Sequence, residues 1–241
     1  MEKARYGSTH GPLVDPVAFH IRATPRYKQL GIFPYCDACH EIVHLYGVHT
    51  PNPNITPRFD HANLVPDADP LDDCILANRN SHYHGLAPDG WDDYHGNIMR
   101  EKFFEEDNLA RAYAFCLNLC RHGNLPKDKF LSMLNRADRK RVWSYIGIPL
   151  WSIPYILLTL ENFTDNKKGF GFHFSFIKPR GSNITALWQN PEECKIVKFF
   201  SSNSTIVQTS DNPYPVSEKA ILDKAGDTSW IGQGFLQSIK I

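Results

Sequence analysis

The sequence has little of what membrane-spanning, secreted or disulfide-rich proteins require. Its longest apolar stretch, residues 146–160, is broken by Pro149 and Pro154 and is shorter than the roughly 20 residues of a spanning helix. The first residues lack the apolar run of a signal peptide. Six cysteines in 241 residues are too few for a disulfide scaffold. We therefore expect a protein of the cytoplasm.

An excess of charge of one sign is also lacking. The chain has 26 Lys and Arg against 26 Asp and Glu, and 42% of its residues are hydrophobic. This balance excludes a disordered tail and argues against strong non-specific affinity for DNA. The length fits one large domain or two or three small ones.

The common catalytic motifs are missing as well. The chain contains no phosphate-binding glycine loop, no nucleophile elbow and no His-Glu-x-x-His sequence. No catalytic residue is assigned on these grounds, and the question of enzymatic activity stays open.

What is present is unevenly distributed. Residues 1–90 hold 8 of the 11 histidines and 3 of the 6 cysteines, with 7 basic and 10 acidic residues. The same stretch is dense in Pro, Gly, Asn and Asp, which are turn formers. Because such a segment buries little apolar surface, it often depends on a bound metal for its shape.

The periodicity predicts an α+β fold in three parts: a loop-rich, zinc-ribbon-like module over residues 1–98, a helical region over 99–163 and a small antiparallel β-rich region over 164–241. Apolar spacing predicts helices from Met99 to about Gly123, from Pro126 to Val142, and from Leu150 to Phe163 with a kink at Pro154. Alternation predicts strands at residues 170–176, 184–188, 195–200 and 205–209, and a short helix near 217–225.

The sharpest chemical signal is the pair Cys36 and Cys39, two thiols three residues apart on a predicted turn. His61 and Cys74 follow, which gives Cys-x2-Cys-x21-His-x12-Cys, a Cys3His set. Four such ligands form a closed tetrahedral site for structural Zn²⁺, with no position left for a substrate. Asp60 or another nearby carboxylate is expected to orient the imidazole.

Spacing defines the histidine ligand less sharply than the three thiols. His40, His44 and His49 follow the cysteine pair at short steps, and each is an alternative to His61 as the nitrogen ligand.

Residues 36–78 resemble the zinc ribbon at the front of competence protein CoiA-like proteins. The resemblance lies in the Cys-x2-Cys pair, the Arg-Phe-x-His segment and the single Cys after an acidic stretch, and it implies zinc at Cys36, Cys39, His61 and Cys74. In that family a nuclease-like domain follows the ribbon. Its carboxylate and Glu-x-Lys series is not found here, so the resemblance implies no catalysis.

The same segment also resembles HNH endonucleases, in which a Cys-x-x-Cys pair precedes an Asp-His pair. That resemblance implies His61 as the general base and His82 with Asp60 as ligands of a catalytic divalent ion. Asp73 stands where the family has Asn, and Asn78 and Ser81 stand where it has a second cysteine pair. The two resemblances assign opposite roles to His61, since a structural zinc ligand cannot act as a base.

Three other groups carry weaker signals. The histidines His82, His84 and His95, with Tyr83, are interpreted as surface residues, and Cys116 and Cys120 as core residues on one helix face. A basic cluster followed by aromatic residues suits either nucleic acid or a solvated helix face; it comprises Arg136, Arg139, Lys140 and Arg141.

The sequence leaves two main candidate functions, beside a purely structural or assembly role with no ligand other than zinc. The first is a bacterial zinc-binding protein that acts by binding or interaction, with nucleic acid as a candidate partner of the basic cluster. The alternative is a metal-dependent, HNH-like nuclease that uses Asp60, His61 and His82.

Overall fold

The computed structural model describes residues 1–48, 54–61, 69–77, 86–121 and 124–240. The predicted α+β fold is confirmed, because the described residues combine helices with small antiparallel sheets. The chain forms two compact units, Met1–Ala87 and Pro88–Ile241. The helical and β-rich regions predicted from the sequence both lie within the second unit.

The first unit consists of short strands, one short helix and turns. Strands β1 (Ala4–Tyr6), β2 (Leu13–Val14) and β3 (Pro34–Tyr35) form an antiparallel sheet in the order β2-β1-β3. Strands β4 (Val43–Tyr46) and β5 (Arg58–His61) form a second antiparallel pair. Helix α1 (Pro16–Ala23) begins with Asp15, whose carboxylate accepts from the Ala18 amide, and with Pro16 in its first turn.

The core of the first unit is small. Phe19 and Phe59 are fully buried and meet edge to face, with their ring centroids 5.8 Å apart. Twelve apolar side chains are buried among the described residues of this unit, and four of them are alanines. So little apolar burial gives weak stabilisation to a unit of this length.

The second unit begins with a helical layer. Helices α2 (Asp93–Phe103), α3 (Glu106–Cys120) and α4 (Lys127–Arg139) precede α5 (Ile153–Thr159). Single turns of 3-10 helix at Val142–Ser144 and Leu150–Ser152 lie between α4 and α5. Helix α3 buries ten of its fifteen residues, which makes it the centre of the unit's core.

Two helix predictions need correction. The helix predicted from Met99 is interrupted, because α2 ends at Phe103 and α3 starts at Glu106. The kink predicted at Pro154 is not found either. Pro154 lies in the first turn of α5, where its missing amide hydrogen costs no helical hydrogen bond.

The second unit also contains a four-stranded antiparallel sheet, whose strand next to the edge contacts α5. Its order is β6 (Asn162–Asp165), β7 (Phe170–Ile177), β8 (Lys195–Phe200) and β9 (Tyr214–Pro215). The alternation predicted for residues 170–176 and 195–200 is confirmed as β7 and β8. Phe172 and Phe174 are buried on one face, with Phe163 of β6 stacked on Phe172 at 5.3 Å.

Two predicted strands are wrong, and local hydrogen bonds explain both. Residues 184–188 contribute to helix α6 (Ala186–Gln189), because the Asn183 side chain accepts from the Thr185 amide and starts a helical turn. Residues 205–209 make only isolated bridges. The Asn212 side chain bonds the amide and carbonyl of Lys198 at 2.8 and 3.0 Å, in the place of a neighbouring strand.

Helices α7 (Glu218–Ala225) and α8 (Gln233–Ser238) complete the chain. The short helix predicted near residues 217–225 is confirmed as α7, and Ser217 caps it by accepting from the Ala220 amide. No helix in the described ranges is both long enough and apolar enough to cross a membrane.

Charged side chains also stabilise the interior of the second unit. The guanidinium of Arg136 is buried and lies 2.7 Å from Glu161, while also donating to the Leu160 carbonyl. The Lys198 ammonium donates to the Leu119 carbonyl, at the C-terminal end of α3, at 2.9 Å. Burial lowers the pKa of Lys198, but this position meets the negative end of the helix dipole.

The contact between α2 and the turn at Val142–Ser144 yields a stability prediction. A Cβ added at Gly96 would lie 2.2 Å from Ser144 Oγ and 2.9 Å from its backbone Cα. We expect Gly96→Ala to lower the free energy of unfolding by roughly 1–3 kcal/mol, because the two segments must separate. Urea unfolding of the full chain measures this.

The control for that variant is Gly234→Ala in α8, where an added Cβ meets nothing within 4 Å. Removing a helical glycine there should stabilise by up to about 1 kcal/mol. Equal effects of the two substitutions would contradict the packing at Gly96.

Candidate metal centre

The first two cysteines lie on the turn that joins β3 to β4. Tyr35 and Ile42 bridge across the base of this hairpin. The amide of Cys36 donates to the Glu41 carbonyl at 2.8 Å, and the amide of His40 donates to the Cys36 carbonyl at 3.0 Å. His40 takes a positive φ of 62°, which closes the turn and holds both sulfurs on one side of it.

The third and fourth candidate ligands come from two other segments. His61 is the last residue of β5 and lies opposite Val43 in the register with β4. Cys74 lies two residues after a one-turn 3-10 helix, Pro70–Asp72. Three segments that are distant in the sequence therefore converge on one point.

The four ligand atoms form a tight cluster. The sulfurs of Cys36 and Cys74 are 3.7 Å apart, and Cys39 Sγ lies 3.4 Å from His61 Nε2. All four atoms lie within 4.8 Å of one another. The Cys3His cluster predicted from spacing is thus assembled in the structure, and it can hold a metal ion.

Backbone amides are aimed at two of the sulfurs. The Ala38 amide donates to Cys36 Sγ and the Leu76 amide donates to Cys74 Sγ, both at 3.4 Å. In each case the donor lies two residues after its cysteine. Such hydrogen bonds favour the thiolate form, which is the form that binds metal.

In the absence of a cation, the crowded sulfurs must share protons. Hydrogen bonds from Cys39 and Cys74 lower the pKa of Cys36 to about 3. The hydrogen bond to Cys36 in turn raises the pKa of Cys74, since two adjacent thiolates would repel. A divalent cation removes this conflict, because it allows all the sulfurs to be ionised together.

The surroundings anchor the cluster to the rest of the first unit. Arg5 of β1 pairs with the buried Asp37, between the two cysteines of the turn, and also donates to the Gly11 carbonyl at 3.1 Å. The Met1 thioether lies 3.6 Å from Cys36 Sγ. Neither contact was anticipated, because both residues lie outside the cysteine-rich segment.

The structure decides among the candidate histidines that it describes. Only His61 belongs to the cluster within the described residues. His44 is exposed and lies opposite Asp60 in the strand register. The ring of His40 faces that of His10, with centroids 6.3 Å apart. His49 lies outside the described residues.

The role expected for Asp60 is wrong. Its carboxylate accepts from Arg58 Nε, 3.0 Å from both oxygens. Adjacent side chains on a strand point to opposite faces, so Asp60 and His61 diverge.

Of the second histidine group, His82, Tyr83 and His84 lie outside the described residues. His95 is exposed beside Asp92 at the start of α2.

The basic cluster is largely engaged within the fold. Arg136 is buried against Glu161, Lys140 is 5% exposed, and Arg141 lies 2.7 Å from Asp93. Arg139 has the one exposed side chain among the four. Asp138, which lies within the same segment, accepts two hydrogen bonds of 2.9 Å from Arg100.

The remaining cysteines lie in the core of the second unit. Cys116, Cys120 and Cys194 are fully buried, and burial raises the pKa of each thiol. The interpretation of Cys116 and Cys120 as core residues is confirmed, since a buried neutral thiol is a poor nucleophile and a poor metal ligand.

Comparisons with protein-family models, with curated proteins and with solved structures gave no significant match to this chain. The resemblances to the CoiA-like ribbon and to HNH endonucleases stay predictions.

The shared protons predict how metal affinity depends on pH. Cys74, whose pKa is raised, keeps its proton between pH 6 and 8 and must lose it on binding a divalent ion. Each proton released strengthens binding about tenfold per pH unit. We expect the affinity for Zn²⁺ or Co²⁺ to rise at least tenfold per unit over this range.

Competition with a chelator at pH 6, 7 and 8, corrected for the chelator's own protonation, measures this dependence. Cys74→Ala is the control, since it should flatten the slope by about one proton. An affinity of the wild type that does not change with pH would contradict the shared-proton arrangement.

Proposed function

We propose that this chain is a zinc-binding protein in which Cys36, Cys39, His61 and Cys74 hold one structural Zn²⁺ ion. The observation that carries the proposal is the spacing of the ligand atoms. Tetrahedral bonds of about 2.3 Å to sulfur and about 2.05 Å to nitrogen require about 3.8 Å between sulfurs and about 3.6 Å between sulfur and nitrogen. The separations of 3.7 and 3.4 Å are close to these values.

The chemistry of the donors favours zinc among the divalent ions. Three thiolates and one imidazole form a soft, four-coordinate set, whereas magnesium and calcium prefer six or more oxygen ligands. Four protein ligands also fill the tetrahedron, so a substrate has no coordination position. The role that follows is structural.

The first unit has a clear need for such an ion. Its core has few large apolar side chains, and its strands are two to four residues long. The proposed ion links the β3–β4 turn, the end of β5 and the segment after residue 72. A cross-link between ligands that are separated by 21 and by 12 intervening residues reduces the conformational freedom of the unfolded chain.

The positions of His61 and Asp60 support a binding role better than they support catalysis by an HNH-like site. A general base must be able to reach a water molecule with a free ring nitrogen. The His61 Nε2 atom instead lies against Cys39 Sγ, and Asp60 is held by Arg58 on the opposite strand face. His82, the third residue of the nuclease alternative, lies outside the described residues.

Metal analysis tests the zinc proposal. Purified full-length chain should contain one zinc ion per molecule by plasma mass spectrometry. Cys36→Ser and His61→Ala should each reduce the zinc content at least tenfold and lower the melting temperature, because the first unit loses its cross-link. His44→Ala is the matched control, since His44 lies on the neighbouring strand but outside the cluster.

Two results would overturn the proposal. One is a wild-type protein that contains no zinc and does not take it up when refolded with the ion. The other is a His61→Ala variant that keeps both zinc and fold but loses a Mg²⁺- or Mn²⁺-dependent cleavage of DNA, which would support the nuclease alternative.

The nucleic-acid partner predicted for the basic cluster now depends mainly on one residue. Arg136 and Lys140 are buried and Arg141 pairs with Asp93, whereas Arg139 has the most exposed side chain of the four. If the prediction holds, Arg139→Glu should weaken binding to a short DNA duplex at about 50 mM salt and lower the salt slope by about one to two.

Arg180→Glu serves as the control, because Arg180 is exposed and lies outside the cluster. Binding isotherms that are the same for wild type and Arg139→Glu would remove nucleic acid from the proposal and leave its zinc part intact.

A further inference from the structure

A pocket in the second unit lies apart from the cysteine cluster and has a different chemistry. It has a volume of about 70 Å³ and opens where α2, α3, α7 and the turn before α5 meet. Its apolar wall includes Phe103 of α2, Trp151 and Leu222. Trp151 is half-buried and Leu222 is 49% exposed, so the pocket is open to solvent.

Two opposite charges line this apolar wall. Arg111 of α3 and Glu218, in the first turn of α7, both belong to the lining. Within the described part of the chain, neither side chain takes part in a hydrogen bond or in an ion pair of 4.0 Å or less. Both residues therefore line the same small pocket without forming an ion pair of 4.0 Å or less with each other.

The third polar residue of the lining adds an acceptor. The amide nitrogen of Asn108 already donates to the Lys102 carbonyl at 2.8 Å and to the Glu105 carboxylate at 3.3 Å. Its carbonyl oxygen is the atom left to meet a ligand. The pocket thus offers one cationic group, one carboxylate and one neutral acceptor beside an apolar surface.

The arrangement matches one class of small molecule. A guanidinium binds a carboxylate through paired hydrogen bonds, while a carboxylate and an amide oxygen suit an ammonium group. An apolar wall reduces the screening of charges by water, so both interactions are stronger there than in open water. A ligand with a single charge would leave one of the two protein charges against a like charge or without a partner.

We propose that this pocket binds a free α-amino acid with an apolar side chain. The side chain enters against Trp151 and Leu222, the carboxylate meets Arg111, and the ammonium meets Glu218 and the Asn108 oxygen. The volume of about 70 Å³ is roughly half of the 150 Å³ apolar cavity that encloses benzene, so this open pocket covers only part of an apolar side chain and leaves the rest in solvent.

The test is a saturation-transfer NMR titration of the full chain with L-phenylalanine and L-leucine. Both should bind saturably in the millimolar range, as expected for ligands of this size. Two truncated probes complete the set: 3-phenylpropionate lacks the ammonium group and phenethylamine lacks the carboxylate. Each should bind at least tenfold more weakly than phenylalanine.

Variants assign the binding to this pocket. Arg111→Met and Glu218→Gln should each weaken phenylalanine binding at least tenfold, while Arg180→Met and Glu192→Gln, at exposed positions outside the lining, should leave it unchanged. Circular dichroism of each variant shows whether the fold is retained, and Arg111→Lys should restore part of the binding.

Three results would overturn the proposal. These are the absence of saturable binding by both amino acids, binding of 3-phenylpropionate as tight as that of phenylalanine, and binding that the two lining variants do not change. A double-mutant cycle on the unfolding of the free protein adds a fourth. A coupling between Arg111 and Glu218 distinguishable from zero would mean that the two charges already neutralise each other.

Discussion

The conflict among three sulfurs and one imidazole is the constraint on which the first unit depends. Thiolates held a few ångströms apart repel one another. Protonated thiols, in turn, leave the amides that donate to the sulfurs without an anionic acceptor. The chain nevertheless aims the Ala38 and Leu76 amides at the sulfurs. A fold that stabilises negative sulfur and gathers it at one point can hold a cation there.

The two units are stabilised in different ways. The second unit has the long buried helix α3, buried phenylalanines on one face of its sheet, and a buried ion pair between Arg136 and Glu161. The first unit has two phenylalanines at its centre and a cluster of ligands instead of an extended core. Loss of the proposed ion should therefore destabilise the first unit far more than the second.

The sequence predicted the parts of the molecule that depend on local chemistry or on short periodicity. Cysteine spacing identified the metal cluster, and alternation identified β7 and β8. The two wrong strand predictions have a common cause, which is that local polar side chains replaced regular structure. Asn183 starts a helical turn where alternation predicted a strand, and Asn212 bonds to β8 where a strand was expected. The role of the basic cluster could not be read from the sequence, because Glu161 and Asp93, which pair with Arg136 and Arg141, are distant from it in the chain. For the same reason, Arg111 and Glu218 carry no signal until the fold brings them to one pocket.

The role of Asn212 has a consequence for how molecules of this protein behave at high concentration. The outer edge of β8 is met by Tyr214 near its start, by Asn212 and Val207 at Lys198, and by Thr205 at Phe200. A strand edge whose amides and carbonyls are bonded in this way offers no template to a strand from another molecule. One amide side chain and a few backbone hydrogen bonds thus protect this edge of the phenylalanine-rich sheet from pairing with a strand of another molecule.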